Sequence, residues 1–436
     1  MNPADEIQAF QQIQTHLSEV WTRSHLDPRY PHANVIVPSL SFDQEELQKV
    51  AGVPFYEERL LFFLMRLRRP GARLLYVTSQ PVDPDIVQYY LQMLVGVPAS
   101  HAERRLTMLC VYDASPRALT EKILERPRVV QRIRDWLGDR NRAYMTCFHA
   151  TELERRLSVE LGIPVNAADP ALSDLGTKSG SRKTFREAGV ELSPGFEDLK
   201  TRTEIVDALS RLEADAPGLP KAVIKLDDGF SGEGNAIYRY PEDLPRDGDA
   251  RARAIESGLH RLGFAAEEHS EAEFFRKFEE MGGIVEQFLA GDEVHSPSVQ
   301  LRITPERELI TLSTHDQVLG GASGQVYVGC SFPADPTYRQ PIIDRAERIG
   351  HVLRERGVVG RFAVDFMATR DAGQDWRFAA VEINLRMGGT TFPFAALQFL
   401  TGGRVDENGN FYSLRGTKKF YFATDTLTSL AYRGLL

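Results

Sequence analysis

The stretch "VEINLRMGGTTFP", residues 381–393, sets Glu382, Asn384 and Arg386 at alternate positions with Val381, Ile383 and Leu385 between them. Successive side chains of a strand point to opposite faces, so one face carries an acid, an amide and a base while the other is made for a core. Upstream, "GRFAVDFM" (360–367) repeats the pattern with Arg361, Ala363 and Asp365 on one face. The joining "ATRDAGQDWR" contains the Asp, Ala and Gly that suit a turn. A hairpin turning symmetrically between Gly373 and Gln374 pairs Asp365 with Glu382 and Arg361 with Arg386.

Two carboxylates directly opposite each other destabilise a sheet by roughly 0.2 to 1 kcal/mol, and by more when buried. A divalent cation removes that cost. Mg²⁺, held by one or two carboxylates and by substrate phosphates, suits the oxygens of Asp365, Glu382 and Asn384. The competing reading is a solvated face of mixed charge, with the arginines paired diagonally to the acids.

The length of 436 residues predicts two or three domains. A net charge of -9 and a pI near 5.7 argue against a general nucleic-acid binder. Cys110, Cys147 and Cys330 are odd in number, far apart and without CxxC spacing, which indicates neither a disulfide framework nor a zinc site. They read as reduced thiols of a cytoplasmic protein. The start "MNPADEIQAFQQIQ" lacks the basic and apolar regions of a secretory signal. The longest apolar run, "LLFFLM" (60–65), lies between Arg59 and Arg66 and falls far short of the roughly 20 residues of a membrane span. It reads as a buried helix segment, and no membrane partner is expected.

Between residues 70 and 165 apolar runs such as "ARLLYVTS", "RLTMLCVYD" and "AYMTCF" alternate with helical patterns, which predicts an α/β unit with a parallel sheet and crossover helices. No GxGxxG follows any of these strands, so this unit need not hold a cofactor itself. From about residue 172 the pattern becomes α+β: a helix "DLGTKSGSRKTFREAG", another around 200–214, then the hairpin-like "KAVIKLDDGFSGEGNAIYRY". The stretch 241–253 lacks apolar periodicity and is expected to be a flexible connection. Antiparallel strands, a helix near 341–356 and the opening hairpin follow.

In "KAVIKLDDGFSGEGNAIY", Lys225 ends a β-branched run, and Gly229, Gly232 and Gly234 come after it. Glycines let backbone N–H groups approach phosphate oxygens, and a lysine adds a point charge. An ordinary glycine-bearing hairpin reads equally well, and Asp227 and Asp228 count against phosphate. Lys178, on its helix, reads by itself as a solvated side chain. "GGIVEQFLAGDEVHSPSV" gives a strand with Glu286 and Phe288, then a turn with Glu293, which is either an edge for reading a base and ribose or a plain charged turn.

Taken in order, the Lys178 helix, "VIK" before a glycine loop, "VEQFLAGDE", "VDF" and "VEINLR" resemble the ATP-grasp superfamily. "PSVQLRI", "THDQVLGG", "GQVYVGCSFPA" and "VEINLRMGGTTFPF" are similar to its pheganomycin-type peptide ligase subgroup. The resemblance implies a pre-ATP-grasp α/β domain (1–171), a lid subdomain (172–290), a catalytic subdomain (291–400) and a C-terminal extension (401–436). It implies that Lys178 and Lys225 contact ATP phosphates and the adenine side, while the loop of Gly229, Ser231, Gly232 and Gly234 closes over the phosphates. Glu286, Gln287 and Phe288 would line the adenine pocket and Glu293 would hold the ribose. Asp365, Glu382 and Asn384 would ligate Mg²⁺, with Mn²⁺ as a substitute. Arg386 would stabilise an acyl phosphate and tetrahedral intermediate, and Arg361 would meet the transferred phosphate or a substrate carboxylate, unless it pairs with Asp365.

The resemblance further implies a carboxylate–amine ligase acting on small-molecule or peptide substrates, and a homodimer is favoured by base rate alone. His295, Ser298, His315, Asp316, Gln317, Gly388 and Gly389 are its candidates for substrate contact, while each histidine also fits an ordinary structural role. Cys330 reads as a small buried apolar residue. The rival functions are a phosphotransferase that forms no amide and a nucleotide-binding regulatory module. The tail "LTGGRVDENGNFYSLRGTKKFYFATDTL" predicts a hairpin around "DENGN" that either caps a pocket or finishes the sheet.

Overall fold

Strands β1 (His32–Val37), β2 (Ala72–Thr78), β3 (Leu106–Cys110) and β4 (Ala143–Cys147) are rich in apolar residues, as parallel strands covered on both faces must be. They pair in parallel in the order β3-β2-β1-β4. In the computed structural model, which describes residues 2–42, 47, 53–229, 234–264, 270–320, 324 and 326–424, Val35, Val37 and Leu75 meet helices on one face of this sheet. Ile36, Leu74 and Tyr76 meet the 3-10 helix Val53–Arg68 on the other. The "LLFFLM" run lies in that helix and is buried, as its composition predicts. The alternation read from residue 70 onward misses β1, which takes a central place.

Strands β5 (Gly195–Leu199), β6 (Lys221–Leu226), β7 (Asn235–Arg239), β8 (Gly263–Phe264) and β9 (Gly283–Gln287) form an antiparallel sheet in the order β5-β9-β6-β7-β8. The expected hairpin pairs Lys225 with Asn235. The expected flexible connection over 241–253 is only half present. A helix runs over Gly248–Gly258, its first turn capped by the Asp247 carboxylate, which accepts from Ala250 N–H. Ile255 and Leu259 are apolar enough to seat it on the core despite the charged sequence before them.

Strands β10 (Glu293–Ile303), β11 (Leu309–Gly320), β12 (Val326–Phe332), β13 (Gly360–Arg370) and β14 (Arg377–Asn384) build the third sheet. A small sheet of β15 (Arg404–Val405), β16 (Phe411–Tyr412) and β17 (Lys418–Lys419) contains the expected hairpin around "DENGN". β18 (Tyr421–Thr424) then pairs with β12, so the tail extends the third sheet, whose order is β14-β13-β10-β11-β12-β18. Val299, Leu301, Phe362, Val364, Phe366 and Ile383 point to one face, under the helices Lys178–Glu187 and Arg339–Glu355.

The opposite face keeps the polar set, and its register is informative. Asp365 faces Glu382 and Ala363 faces Asn384, as the symmetric hairpin requires. Between Asp365 and Phe366 the register shifts, and Phe366 faces Ala380. Val381 is thus an extra residue in a β-bulge, which sends it to the polar face beside Glu382 rather than into the core expected for it. β14 ends at Asn384, so the expected pairing of Arg361 with Arg386 does not form; Arg361 lies opposite Arg302 of β10.

Gly360 opens β13 at φ +108°, and a Cβ there would fall 2.9 Å from the Ala167 Cα. Both the left-handed backbone and the crossing chain demand glycine. Gly360→Ala is expected to lower the unfolding free energy by about 1 to 3 kcal/mol in urea denaturation; an unchanged midpoint would contradict this packing.

Candidate active site

A cleft of about 860 Å³ lies between the polar face of the third sheet and the five-stranded sheet. The segment Gln287–Gly291, which joins β9 to β10, lines it, so the connection between the two sheets is itself a wall. Its floor crosses adjacent strands. Asp365 on β13 stands opposite Ser298 of β10 on one side and Glu382 of β14 on the other. Asn384 donates its amide N–H to Asp365 Oδ2 at 3.0 Å, and Ser298 and Gln317 also hydrogen-bond Asp365.

The electrostatics of this floor are asymmetric. Burial first, then the neighbouring Glu382 charge, raise the Asp365 carboxyl to about 6. Burial pushes Glu382 up too, but Lys178, Arg386 and Lys225 outweigh it and hold Glu382 below its ordinary value. Lys178 Nζ donates to Glu382 Oε1 at 2.6 Å. Lys178 reaches it because Thr177 caps the Lys178–Glu187 helix and Ile383 N–H of β14 donates to Ser181 Oγ at 3.0 Å, docking helix on strand. Two opposed carboxylates, together with an amide carbonyl, present the hard oxygens that a divalent cation prefers, so the donor set fits one.

On the far wall, the buried Glu286 is clamped. One carboxylate oxygen takes Lys225 Nζ and the other takes Arg182 Nη1 at 3.1 Å. Glu286 is therefore occupied in holding Lys225, and the cleft beside it is lined by Gln287 and Phe288. Gly229 and Gly234 reach the cleft, while Ser231 and Gly232 lie outside the described residues. His295, Ser298, Gln317, Gly388 and Gly389 line it as expected, as does Arg386. The Gly388–Gly389 pair leads directly into the helix Thr391–Thr401, and a Cβ on Gly388 would meet nothing within 4 Å.

Four expected site residues stand elsewhere. Glu293 is exposed and paired with Arg370 Nη2 at 2.8 Å, because Arg370 is its cross-strand neighbour. Asp316 accepts from Tyr338 Oη at 2.7 Å and from Asp335 N–H at 2.8 Å, away from the cleft. His315 is fully buried with Nε2 2.7 Å from Tyr421 Oη, a partner supplied by the tail. Arg361 lines a second, smaller cavity behind the cleft and pairs with no acid among the described residues, Asp365 included. Missed by sequence reasoning are Arg182 and, around the first sheet, Tyr56 and Arg59 of the 3-10 helix Val53–Arg68 and Phe148 just after β4, which close one side of the cleft. The position of Arg59 at the edge of the apolar run is the only signal they left.

This fold and floor place the chain in a class: it belongs to the ATP-grasp family of ATP-dependent carboxylate–amine ligases. A family model described as "IQCH-like, ATP-grasp" matches residues 170–241 and 267–408. The L-propargylglycine–L-glutamate ligase of Streptantibioticus cattleyicolor is 31% identical over 394 residues, covering 89% of this chain and 78% of the relative. IQ motif-containing protein H of Danio rerio is 23% identical over 385 residues, covering 77% of this chain and 35% of that larger protein. Among solved structures, the biotin carboxylase domain dimer of Hydrogenobacter thermophilus 2-oxoglutarate carboxylase, in complex with MgADP, ADP and bicarbonate, matches with a TM-score of 0.55 at 14% identity, over 86% of this chain and 68% of that one. Biotin carboxylase of Campylobacter jejuni, in an ATP complex, gives 0.52 at 15% identity, over 85% and 68%. Among the described residues no helix is long and apolar enough to cross a membrane.

Burial lowers the His315 imidazole from 6.5 to about 3. Below the unfolded value the unfolded chain binds a proton that the folded chain refuses, so stability from the neutral ring is complete above about pH 6.5 and is lost as pH falls toward 3. His315→Gln is expected to lose less stability than the parent between about pH 6.5 and 4.5 in thermal melts. Equal slopes would contradict the buried neutral ring.

Proposed function

We propose that the chain joins the carboxylate of one amino acid or short peptide to the amine of another, through an acyl phosphate, with release of ADP and phosphate. The observation that carries this reading is the opposition of Asp365 and Glu382 on the floor of a large cleft, in a chain 31% identical to a ligase named for two amino acids. Asp365, Glu382 and Asn384 would hold Mg²⁺, or Mn²⁺, which shares its preference for oxygen. Bound there, the cation would neutralise phosphate charge as the γ-phosphoryl group transfers.

The chain's own side chains do the remainder. Lys178 and Lys225 meet the phosphates, and the loop from Gly229 to Gly234 closes over them. Phe288 and the main chain around Gln287 take the base, with Glu286 fixing Lys225. The acid's carboxylate oxygen attacks the γ-phosphorus and ADP leaves. The amine nitrogen then attacks the acyl carbon, phosphate leaves with the C–O bonding pair, and the nitrogen loses a proton. Arg386 stabilises the negative charge that develops on the acyl oxygen. His295, Ser298, Gln317, Gly388 and Gly389 shape the substrate end. The cytosol, where ATP is held, is the compartment this implies, and two-fold assembly remains part of the proposal, to be read by light scattering.

The deciding measurement is incubation with Mg²⁺, ATP and pooled amino acids and dipeptides, followed by mass spectrometry. ADP and a new amide in equal amounts are expected. AMP would overturn the acyl phosphate, and ADP without amide would favour a phosphotransferase. Glu382→Gln is expected to lower kcat by about 100-fold in a coupled ADP assay; a rate equal to that of the parent would remove Glu382 from the metal site.

A further inference from the structure

The polar face of the third sheet does not end at the cleft. Along β13 it runs from Asp365 past Ala363 to Arg361, and along β10 from Ser298 past Gln300 to Arg302. There the first sheet lies over it and encloses a cavity of about 40 Å³, lined by Arg66, Arg302, Arg361 and Arg386 with Thr146 and Asn166. No aspartate or glutamate lines it among the described residues. The cavity shares Arg386 and Phe148 with the main cleft, so it lies directly behind the cleft's arginine.

The partners of these guanidinium groups are few. Arg66 donates to Asn34 Oδ1 and, at 2.9 Å, to Thr146 Oγ1, both neutral. Arg302 lies over the Trp21 ring, 4.0 Å from its centroid, and its Nε is buried without a hydrogen-bond partner among the described residues. The Arg361 guanidinium has no hydrogen bond, ion pair or ring contact to any described residue. Burial, then Arg361 and Arg66, lower Arg302 to about 9; burial, then Arg66, lower Arg361 to about 10. Three cations held together without an acid are each destabilised by removal from water and by one another. A sequence that keeps all three is explained by a counter-ion that is not part of the chain.

We propose that this seam between the first and third sheets is a binding site for a small oxyanion, held by Arg361 and Arg302 with Arg66 behind them. A water needs roughly 10 to 15 Å³ of such space, so the cavity accommodates a group of about three water-sized atoms, which a carboxylate matches and a phosphate slightly exceeds. Guanidinium forks suit either, because they donate paired N–H groups to two oxygens. The oxyanion comes either free from solution or as the non-reacting carboxylate of an amino-acid substrate. The site itself does not depend on the ligase reading.

The test uses the full chain saturated with Mg²⁺ and a non-hydrolysable ATP analogue, so that phosphate groups of the main cleft are already supplied. Acetate, inorganic phosphate and pooled amino acids are each titrated at constant ionic strength and followed by calorimetry and thermal melts. Saturable binding of acetate or phosphate is expected, weakened about 10-fold or more in Arg302→Met and Arg361→Met, as loss of a charge-assisted pair predicts. Retained binding of the ATP analogue by Arg302→Met shows that this variant is folded. In anion-free buffer Arg361→Met is expected to melt at or above the parent, and in saturating anion below it. Amino acids that displace acetate identify the substrate as the source; amino acids that leave acetate in place identify a free anion. Absence of saturable anion binding, or binding unchanged in both variants, would overturn the proposal and leave the cavity to water.

Discussion

Two carboxylates face each other across adjacent strands in a half-buried position, and much of the molecule is arranged to keep them there. Asp365 and Glu382 would repel, and the sheet would gain from losing either. The opposite face prevents that adjustment. Val364, Phe366 and Ile383 are fixed in a core under two helices, so the register cannot slip without exposing them. Compensation comes from cations brought in by other elements: Lys178 from a helix docked on β14, and Arg386 from the loop beyond it. The scaffold's stability thus holds an arrangement that is unfavourable by itself and useful to a cation.

The same logic recurs on the far wall, where Arg182, Glu286 and Lys225 tie the Lys178–Glu187 helix to β9 and β6. Arg182 also reaches Glu197, which Arg186 pairs from outside. Buried ion chains add little net stability, yet removing one member strands its partner at a cost of about 3 to 5 kcal/mol. They hold lysines at defined points around the cleft. The arginine seam is the contrasting case, since Arg66, Arg302 and Arg361 meet no acid among the described residues.

Most of the floor was legible in the sequence because strand alternation is a strong rule and the two segments are neighbours along the chain. The shared face of Asp365 and Glu382 follows from that rule; their pairing needed the assumed turn as well, and the bulge at Val381 brings it about in the structure. What failed depended on partners distant in sequence. Glu293 is neutralised by Arg370, His315 is covered by Tyr421 and Asp316 is taken by Tyr338; nothing local to those acids and histidines announces it. The Arg361–Arg386 pairing failed for a local reason, the end of β14 at Asn384. The cleft wall made by Tyr56, Arg59 and Phe148 was invisible because it exists only after the first sheet has packed on the third. The helix at Gly248–Gly258 was hidden by the charged residues in and before its first turns.

The bulge at Val381 has an outcome for how this segment can change. A strand without a bulge exchanges its two faces when one residue is lost, but here the register already contains one residue more than the pairing needs. Deleting a residue from 377–381 would straighten the ladder while leaving Glu382 and Asn384 opposite their partners. Deleting one from 382–384 would bring Ile383 or Leu385 to the floor and take Glu382 or Asn384 away from it. The two ends of a single eight-residue strand therefore differ in their tolerance to changes of length, and descendants that have kept the floor are expected to vary in length only on the side toward the turn.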